Sequence, residues 1–520
     1  MRSPPPVPPL RDDLRVKKLG GRIVVEDAVR RVRVPIDPVA LKVMDILSEG
    51  PCLPDELAEA VQVPRIELFK RVDLLNRELM LETPRAADQL KVHAESQRED
   101  AASSPVAADA PLRFQGTLAH ACVACGGCCH GTDVGPLKDD DVAKIREFDW
   151  SPFLPADVRP EDWIDEVPAE SSPTGQAIRL TGRRHGRCVF LGDDKLCIIH
   201  KHKGSQQKPT ICRQFPYTFT RTPDGIDVSF STECRAWWKA RSRATPPAGD
   251  AEQLGQIRAL IAEGAPILQL PMPVPVTAGV DLDLATWTAL RAAMIAKVEG
   301  ATNFEGLVLA VVEPVRDALE ALFSGYRESE LFATRAAFAV PEPEAVDQTE
   351  RCFAAIARLR GALAEGIDAI AQGMRTDDNA IDADRARRFG WALGEVLRGR
   401  RCEDLVPFSS DLEIWRDLAL ASLQAHEPAR RGDLLSGLAI LVMKLTTGRL
   451  LAGLLAETAL RGRVAEQDAV DAMVLVTKIP RGSAFERLWS RQRRDLVTVY
   501  WHDAPTLVSG VAARPMPAWL

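Results

Sequence analysis

Cys122-Val-Ala-Cys125-Gly-Gly-Cys128-Cys129 places four cysteines in eight residues. Four more follow as Cys188, Cys197, Cys212 and Cys234, so eight of the chain's 11 cysteines fall in one stretch. Core packing rarely calls for thiols at this density. Thiolates bind soft and borderline metals strongly, and two cysteines separated by two residues can grip one ion across a tight turn. Gly126 and Gly127 suit that turn, because glycine tolerates positive φ and lets backbone approach a bound group. Their N–H groups could also donate to cluster sulfur and tune it. Adjacent side chains diverge, so Cys128 and Cys129 are expected to serve different metals, or one ligates and the other packs.

Outward from this run, Gly186-Arg-Cys188-Val-Phe-Leu-Gly-Asp-Asp-Lys-Leu-Cys197 reads as a hairpin around a Gly-Asp-Asp-Lys turn. With Leu191 opposite Leu196, Phe190 faces Cys197. Cys188 then lies diagonal to Cys197, about 7–8 Å away. That is too far for a disulfide but suits a shared metal site. Cys212 sits in a single helical turn ended before Pro216. Cys234 follows the alternating strand Ile226-Asp-Val-Ser-Phe230. The expected ligands are therefore Cys122, Cys125, Cys128, Cys129, Cys188, Cys197, Cys212 and Cys234. His130, His185, His200 and His202 are alternatives, His130 first because it follows Cys129. Eight thiols could hold two four-thiolate [4Fe–4S] clusters, two zinc ions, or one cluster with spare thiols. The adjacent pair and the dispersed later cysteines depart from the paired knuckles of a zinc ribbon, which favours iron–sulfur. Arg213 and Arg235 each follow a cysteine and could offset cluster charge. Gly126, Gly127 and Arg213 are thus the expected cofactor-contacting residues. Trp237 and Trp238 read as core with a shielding role open. Asp139-Asp-Asp141 reads as a helix cap.

The chain has 520 residues, and its 46% apolar content allows a sizeable core in more than one domain. A net charge of −7 gives no global basic field for nucleic acid. The Pro-rich N-terminus has no apolar signal run. Leu434 to Leu455 is interrupted by Lys444 and Arg449, so it reads as a buried helix and no membrane span is expected. A cytoplasmic location follows as the expectation, where clustered thiols stay reduced and bind metal.

Four parts are expected. Residues 22–84 combine a strand, Arg22 to Glu26, with three helices opened by Asp37, Pro54 and Pro64. Residues 85–112 are polar, show no apolar face and read as a linker. Residues 113–245 form the cysteine domain. Residues 250–520 read as helical, with stripes at 286–298, 353–370, 384–398 and 434–460. Cys52, Cys352 and Cys402 read as small buried apolar residues. The fold class is mainly α with small α+β parts: a winged-helix-like N-terminal domain, an irregular cysteine-rich domain with short hairpins, and a helical C-terminal region.

The ordered pattern Cys-x2-Cys-x2-Cys-Cys, Gly-x-Cys-x-Phe-Leu with a second Cys, Cys-Arg-x-Phe-Pro and a last Cys resembles the YkgJ-type cysteine-cluster family, described as zinc- or iron-chelating. The resemblance covers roughly residues 118–240. A related pattern in the flagellin lysine-N-methylases implies an iron–sulfur centre. It also implies S-adenosylmethionine as a further cofactor and a protein or peptide as substrate. The chain departs from the family between Cys197 and Cys212, where His200 to Pro209 lacks the usual Tyr-x-x-Arg-Pro and has Lys208 before Pro209. The N-terminal part is similar to winged-helix modules and to PqqD-like peptide-recognition domains. This implies docking of a peptide, or less readily DNA, since Glu67, Asp73 and Glu78 share the third helix with its basic residues. The radical-SAM spacing Cys-x3-Cys-x2-Cys, the haem-attachment Cys-x2-Cys-His and any Gly-x-Gly nucleotide fingerprint are absent. The chain therefore reads as a metal-binding cysteine-cluster protein, with lysine methylase or non-catalytic adaptor as its alternative roles.

Overall fold

The computed structural model describes residues 5–19, 21–102, 110–114, 125–129, 134–168, 177–184, 187–240, 251–277, 279–324, 412–430 and 432–478. Cys122, His130, His185, Cys352, Cys402 and the expected stripes at 353–370 and 384–398 lie outside the described residues. What is described is mainly helical with small sheets and short hairpins.

The N-terminal module is a three-stranded meander, β1 (Leu14–Leu19), β2 (Arg22–Asp27) and β3 (Val32–Ile36), followed by α1 (Pro38–Leu47), α2 (Pro54–Val61) and α3 (Arg65–Arg77). Asp37 caps α1 by accepting the Ala40 N–H at 2.7 Å. Val43, Leu47, Leu57, Leu68, Val72 and Leu75 form the core between the helices and the meander. The module takes in more chain than its sequence pattern shows. Val7 pairs with Cys52, and Arg11 reaches the buried Asp27 at 2.9 Å and the Leu79 carbonyl at 2.7 Å.

The polar stretch read as a linker contains a 19-residue helix, α4 (Pro84–Ala102). Its docking face is polar. Arg85, Gln89 and His93 recur every four residues, so they share one side of the helix. All three are buried. Arg85 donates to the Gly279 carbonyl (3.0 Å), Gln89 accepts from the Asp281 N–H (2.7 Å), and His93 meets the Asp281 carboxylate (2.7 Å). Gly279 has φ +67°, and a β-carbon there would come within 2.0 Å of the Arg77 carbonyl oxygen. Helix α4 thus fixes the N-terminal module to the hairpin β12 (Val274–Thr277) and β13 (Val280–Leu282).

The middle of the chain is irregular. A helix, α5 (Asp139–Glu147), precedes two small hairpins, β5 (Ile164–Val167) with β6 (Ile178–Thr181) and β7 (Arg183–Arg184) with β8 (Arg187–Cys188). Short helices α6 (Ile198–Lys203) and α7 (Thr210–Gln214) follow. Next comes a four-stranded sheet ordered β11-β9-β10-β4, made of β4 (Leu112–Phe114), β9 (Tyr217–Thr222), β10 (Gly225–Phe230) and β11 (Ile267–Gln269). Helices α8 (Arg235–Ala240) and α9 (Ala251–Ala262) complete this part.

Behind it stand α10 (Leu284–Gly300), α11 (Phe304–Ser324), α12 (Leu412–Gln424), α13 (Leu434–Thr458) and α14 (Glu466–Lys478). The expected stripes at 286–298 and 434–460 fall on α10 and α13. The most apolar window of α13 is 88% buried, and Lys444 within it pairs with Glu427 at 2.6 Å. It is placed as a core helix. The sheet is locked to these helices by Asp227 of β10. Its carboxylate accepts from Arg113 (2.7 Å) and from His426 Nε2 (2.7 Å), while Trp287 Nε1 donates to His426 Nδ1 (3.1 Å). With Nδ1 committed as an acceptor, His426 is held as the neutral imidazole. Burial depresses its pKa below the ordinary 6.5, against the pull of Asp227.

Candidate metal centre

Four separate segments carry the described cysteines towards one region. The first is the turn Gly127–Cys129, closed by the Cys129 N–H donating to the Gly126 carbonyl at 2.9 Å. Gly126 adopts φ +68°, and a β-carbon there would press at 3.3 Å on both Leu191 Cδ1 and the Lys195 carbonyl. Glycine is needed so that the first cysteine run can lie against the second.

In that second segment the structure corrects the expected register. Leu191 pairs with Cys197, not with Leu196, and Gly192 donates to the Leu196 carbonyl at 2.9 Å. Cys188 belongs to a different hairpin, at the end of β8 opposite Arg183. The Leu191 N–H turns back to the Cys188 carbonyl (3.0 Å), so the two cysteines approach through a turn and not across a continuous ladder. Cys197 leads directly into α6.

Cys212 lies in α7, the expected single helical turn before Pro216. Asp141 positions that turn: its carboxylate accepts from the Thr210 N–H (2.9 Å) and hydroxyl (3.1 Å). The acidic run thus opens α5 as expected, while its third member reaches across to a cysteine helix. The capping pattern made Asp141 legible as a helix opener. Nothing in the local sequence pointed to Thr210, 69 positions away.

Cys234 immediately precedes α8, and its sulfur accepts the Trp237 N–H at 3.3 Å. Trp237 and Trp238 are fully buried, and Trp238 Nε1 donates to the Thr232 carbonyl at 2.9 Å. They pack the helical core directly behind Cys234.

The sulfurs of Cys128 and Cys129 lie 3.9 Å apart, so these neighbours do not diverge as far as adjacency led us to expect. Cys128 contact, burial, and then the nearby Cys188 and Cys212 push the Cys129 thiol up. Burial lifts Cys188 to about 11, with Cys197 and Cys128 adding to it and the Thr181 hydroxyl and Phe190 N–H opposing. Cys212 is raised well above the ordinary thiol value by burial and by Cys188, while Lys208 opposes the rise. Burial raises Cys234 to about 12, with Cys125 and Cys128 contributing and the Trp237 N–H opposing. Burial first, and neighbouring thiols after it, thus oppose the ionisation of Cys188, Cys212 and Cys234. A bound cation is what allows such a set to deprotonate together.

Lys208 is a cation turned to this region. Burial works against its charge, yet Cys212, Cys197, Cys128 and Cys129 outweigh that and raise its pKa. Arg213, expected to contact the cofactor, points elsewhere. It pairs with Glu263 beyond α9 and donates to the Lys208 carbonyl at 3.2 Å. Arg235 pairs with Asp471 of α14 at 2.6 Å, its β-carbon 3.8 Å from where a side chain on Gly127 would begin. His202 stacks on Phe153, ring centroids 3.9 Å apart. The Lys208-Pro209 departure from the family pattern thus carries the charge that Arg213 was expected to supply.

Seven of the eight expected ligands lie among the described residues, all as unbridged thiols. Their chemistry fits a thiophilic metal or cluster. Among the described residues, no three Cys, His, Asp or Glu side chains already surround one point closely enough to hold an ion. The thiols therefore line a shared region without forming a finished coordination sphere.

Residues 121–236 match the family model CxxCxxCC, described as "Putative zinc- or iron-chelating domain". That span holds all eight cysteines of the cluster, from Cys122 to Cys234. Comparison with curated proteins and with solved structures returned no match. The segment is accordingly a metal-binding cysteine cluster of the zinc- or iron-chelating kind, set in a larger helical chain.

Proposed function

We propose that the cysteine cluster holds iron as an iron–sulfur centre and that the chain works through it as a redox or structural metal module. The observation that carries this is the convergence of seven thiols from four segments on one region, with devices that tune a cluster beside them. The Cys234 sulfur accepts a backbone N–H from Trp237, Lys208 brings positive charge, and Trp237 and Trp238 exclude water behind Cys234. Hydrogen bonds to sulfur, net charge and solvent exposure are the levers that set a cluster's potential. When bound, the centre would supply electron transfer or a stable structural link. This chain's own residues would orient the thiolates, through Asp141, Gly126 and α8, and balance their charge.

Anaerobic purification with iron, acid-labile sulfide and visible-absorption measurements tests this. Iron and sulfide in stoichiometric amounts with a visible chromophore are expected. A colourless chain with stoichiometric zinc overturns the iron–sulfur form and leaves the metal module. The protein-lysine methylase role rests on family resemblance. A cavity of about 230 Å³ in the helical region is lined by Val276, Leu282, Thr286, Leu290, Val315 and Leu319 among others. That lining suits an apolar group better than a charged methyl donor. Incubation with S-adenosylmethionine and candidate proteins, read by mass spectrometry, distinguishes a methylase from an adaptor whose N-terminal module docks a peptide.

A further inference from the structure

We infer that Cys128 and Cys129 are a redox pair: a peroxide closes them into a disulfide between neighbouring residues, and a thiol reductant reopens it. The consequence for metal rests on the metal-thiolate reading above, because closure withdraws two of its ligands; the closure itself does not.

The two sulfurs already lie 3.9 Å apart. The turn Gly127–Cys129 sets them there, tied by the Cys129 N–H to the Gly126 carbonyl at 2.9 Å. Cys128 is exposed, while Cys129 is half-buried and packs against the apolar cluster around Trp150 and Phe190. An oxidant arriving from solvent therefore meets Cys128 first, with a second thiol within reach of it. An accessible cysteine poised next to a resolving one is the common make-up of a redox sensor. Among the described residues, no three Cys, His, Asp or Glu side chains surround one point closely enough to hold an ion. The contact between these two sulfurs is thus not part of a ready-made ion site. It suits a reaction of two thiols.

The Cys128 thiol takes one oxygen from hydrogen peroxide, giving a sulfenic acid and water. The Cys129 sulfur then attacks the Cys128 sulfur. The S–O bond breaks, the S–S bond forms, and the hydroxyl leaves as a second water with the Cys129 proton. The two thiols lose two electrons and the peroxide gains them. Consecutive α-carbons lie about 3.8 Å apart, short of the about 4.4–6.8 Å that disulfides usually span. Such a bridge is strained and readily reduced, which makes it a reversible switch and not a structural staple. Closed, it leaves the cluster without Cys128 and Cys129, so the chain takes up metal only when the pair is reduced.

The test uses the full chain, reduced, stripped of metal by a chelator and then treated with hydrogen peroxide. Its mass should fall by two hydrogens. Tandem mass spectrometry of tryptic peptide 114–138 should show Cys128 joined to Cys129 while Cys122 and Cys125 still alkylate. Dithiothreitol should restore both thiols, and zinc uptake should drop on oxidation and recover on reduction. Cys129→Ser should stop at the Cys128 sulfenic acid, trapped by dimedone. Cys128→Ser should leave Cys129 a thiol. A peroxide-treated unmutated chain in which Cys128 links to any other cysteine, or in which Cys129 still alkylates, overturns the pair, and that measurement needs no variant to fold. A pair that closes in a chain whose reduced form takes up no zinc removes the metal reading and leaves the redox pair, so the two failures are told apart.

Discussion

The cysteine domain and the helices behind it bury themselves by different physics. In the helical region, α10, α11, α12, α13 and α14 share one continuous apolar core that includes Leu307, Val311, Leu418, Leu438, Leu441 and Leu454. Such a core is stable through area removed from water and close packing. The part of the cysteine domain from α5 to α7 has short helices, two-stranded hairpins and a small cluster around Trp150 and Phe190. Into that thin core it places Cys188 and Cys212, whose ionisation burial opposes. One region can stand on hydrophobic burial. The other gains cohesion when a bound cation draws its thiols together as thiolates.

Metal removal should expose this contrast most strongly. Metal binding to such sites contributes on the order of 10 kcal/mol to folding. Chelation should open residues 125–240 to proteolysis while α10 to α14 keep their helical circular dichroism. Equal resistance of both regions would break the comparison. The pH dependence sharpens it. Because the folded thiols of Cys188 and Cys234 are raised to about 11 and about 12, they remain protonated at neutral pH. Uptake of zinc should therefore release protons and tighten as pH rises, which calorimetry in buffers of different ionisation enthalpy would read. In the metal-depleted chain the sign is opposite. The stability associated with these raised thiols is complete below the ordinary value of 9.0 and lost as pH climbs through 11 to 12.

The joint to the N-terminal module comes next in size. His93→Ala leaves the buried Asp281 carboxylate without its partner, at a cost of about 3 kcal/mol. Gly279→Ala adds a left-handed penalty of about 1–2 kcal/mol to overlap with the Arg77 carbonyl. Both should speed hydrogen exchange in α4 and leave metal content unchanged. Loss of metal from either variant would show that module and metal domain fold as one unit.

This joint also shows what a sequence conceals. The helices of the N-terminal module announced themselves through Asp37, Pro54, Pro64 and apolar spacing. The face of α4 did not, because Arg85, Gln89 and His93 carry its contacts through hydrogen bonds and present no apolar stripe. The cysteine segments were legible for a similar reason: a thiol's identity states its chemistry. What those segments pack against was not. The one-residue shift that pairs Leu191 with Cys197, the reach of Asp141 to Thr210 and the choice of Lys208 over Arg213 are all tertiary facts, set by contacts between segments far apart in the chain.

The lock between sheet and helices should respond to acid. His426 is depressed below 6.5 and Asp227 below 3.8. A depressed group contributes stability that is present above its unfolded pKa and lost as pH falls through the folded one. The melting temperature should therefore decline as pH drops below 6.5, then further in the carboxylate range. His426→Gln should melt lower at neutral pH and show a flatter profile between 6.5 and about 5. An unchanged slope would place the acid sensitivity elsewhere.

The smallest effect separates charge beside the thiols from charge near them in sequence. Arg213 follows Cys212 directly, yet its guanidinium pairs with Glu263, whose carboxylate it holds below the ordinary range. Glu263 is 41% exposed, so solvent screens the pair and Arg213→Ala should cost about 0.5–1 kcal/mol. Metal content and any redox potential should stay where they were. Lys208→Met is the matched control, since Lys208 faces Cys212, Cys197, Cys128 and Cys129. Removing that charge should weaken metal retention against a chelator, and in an iron–sulfur form should lower the midpoint potential, because a nearby cation favours the more negative, reduced state. A potential that moves with Arg213→Ala and ignores Lys208→Met would reverse the assignment and put the sequence neighbour, not the spatial one, in charge of the centre.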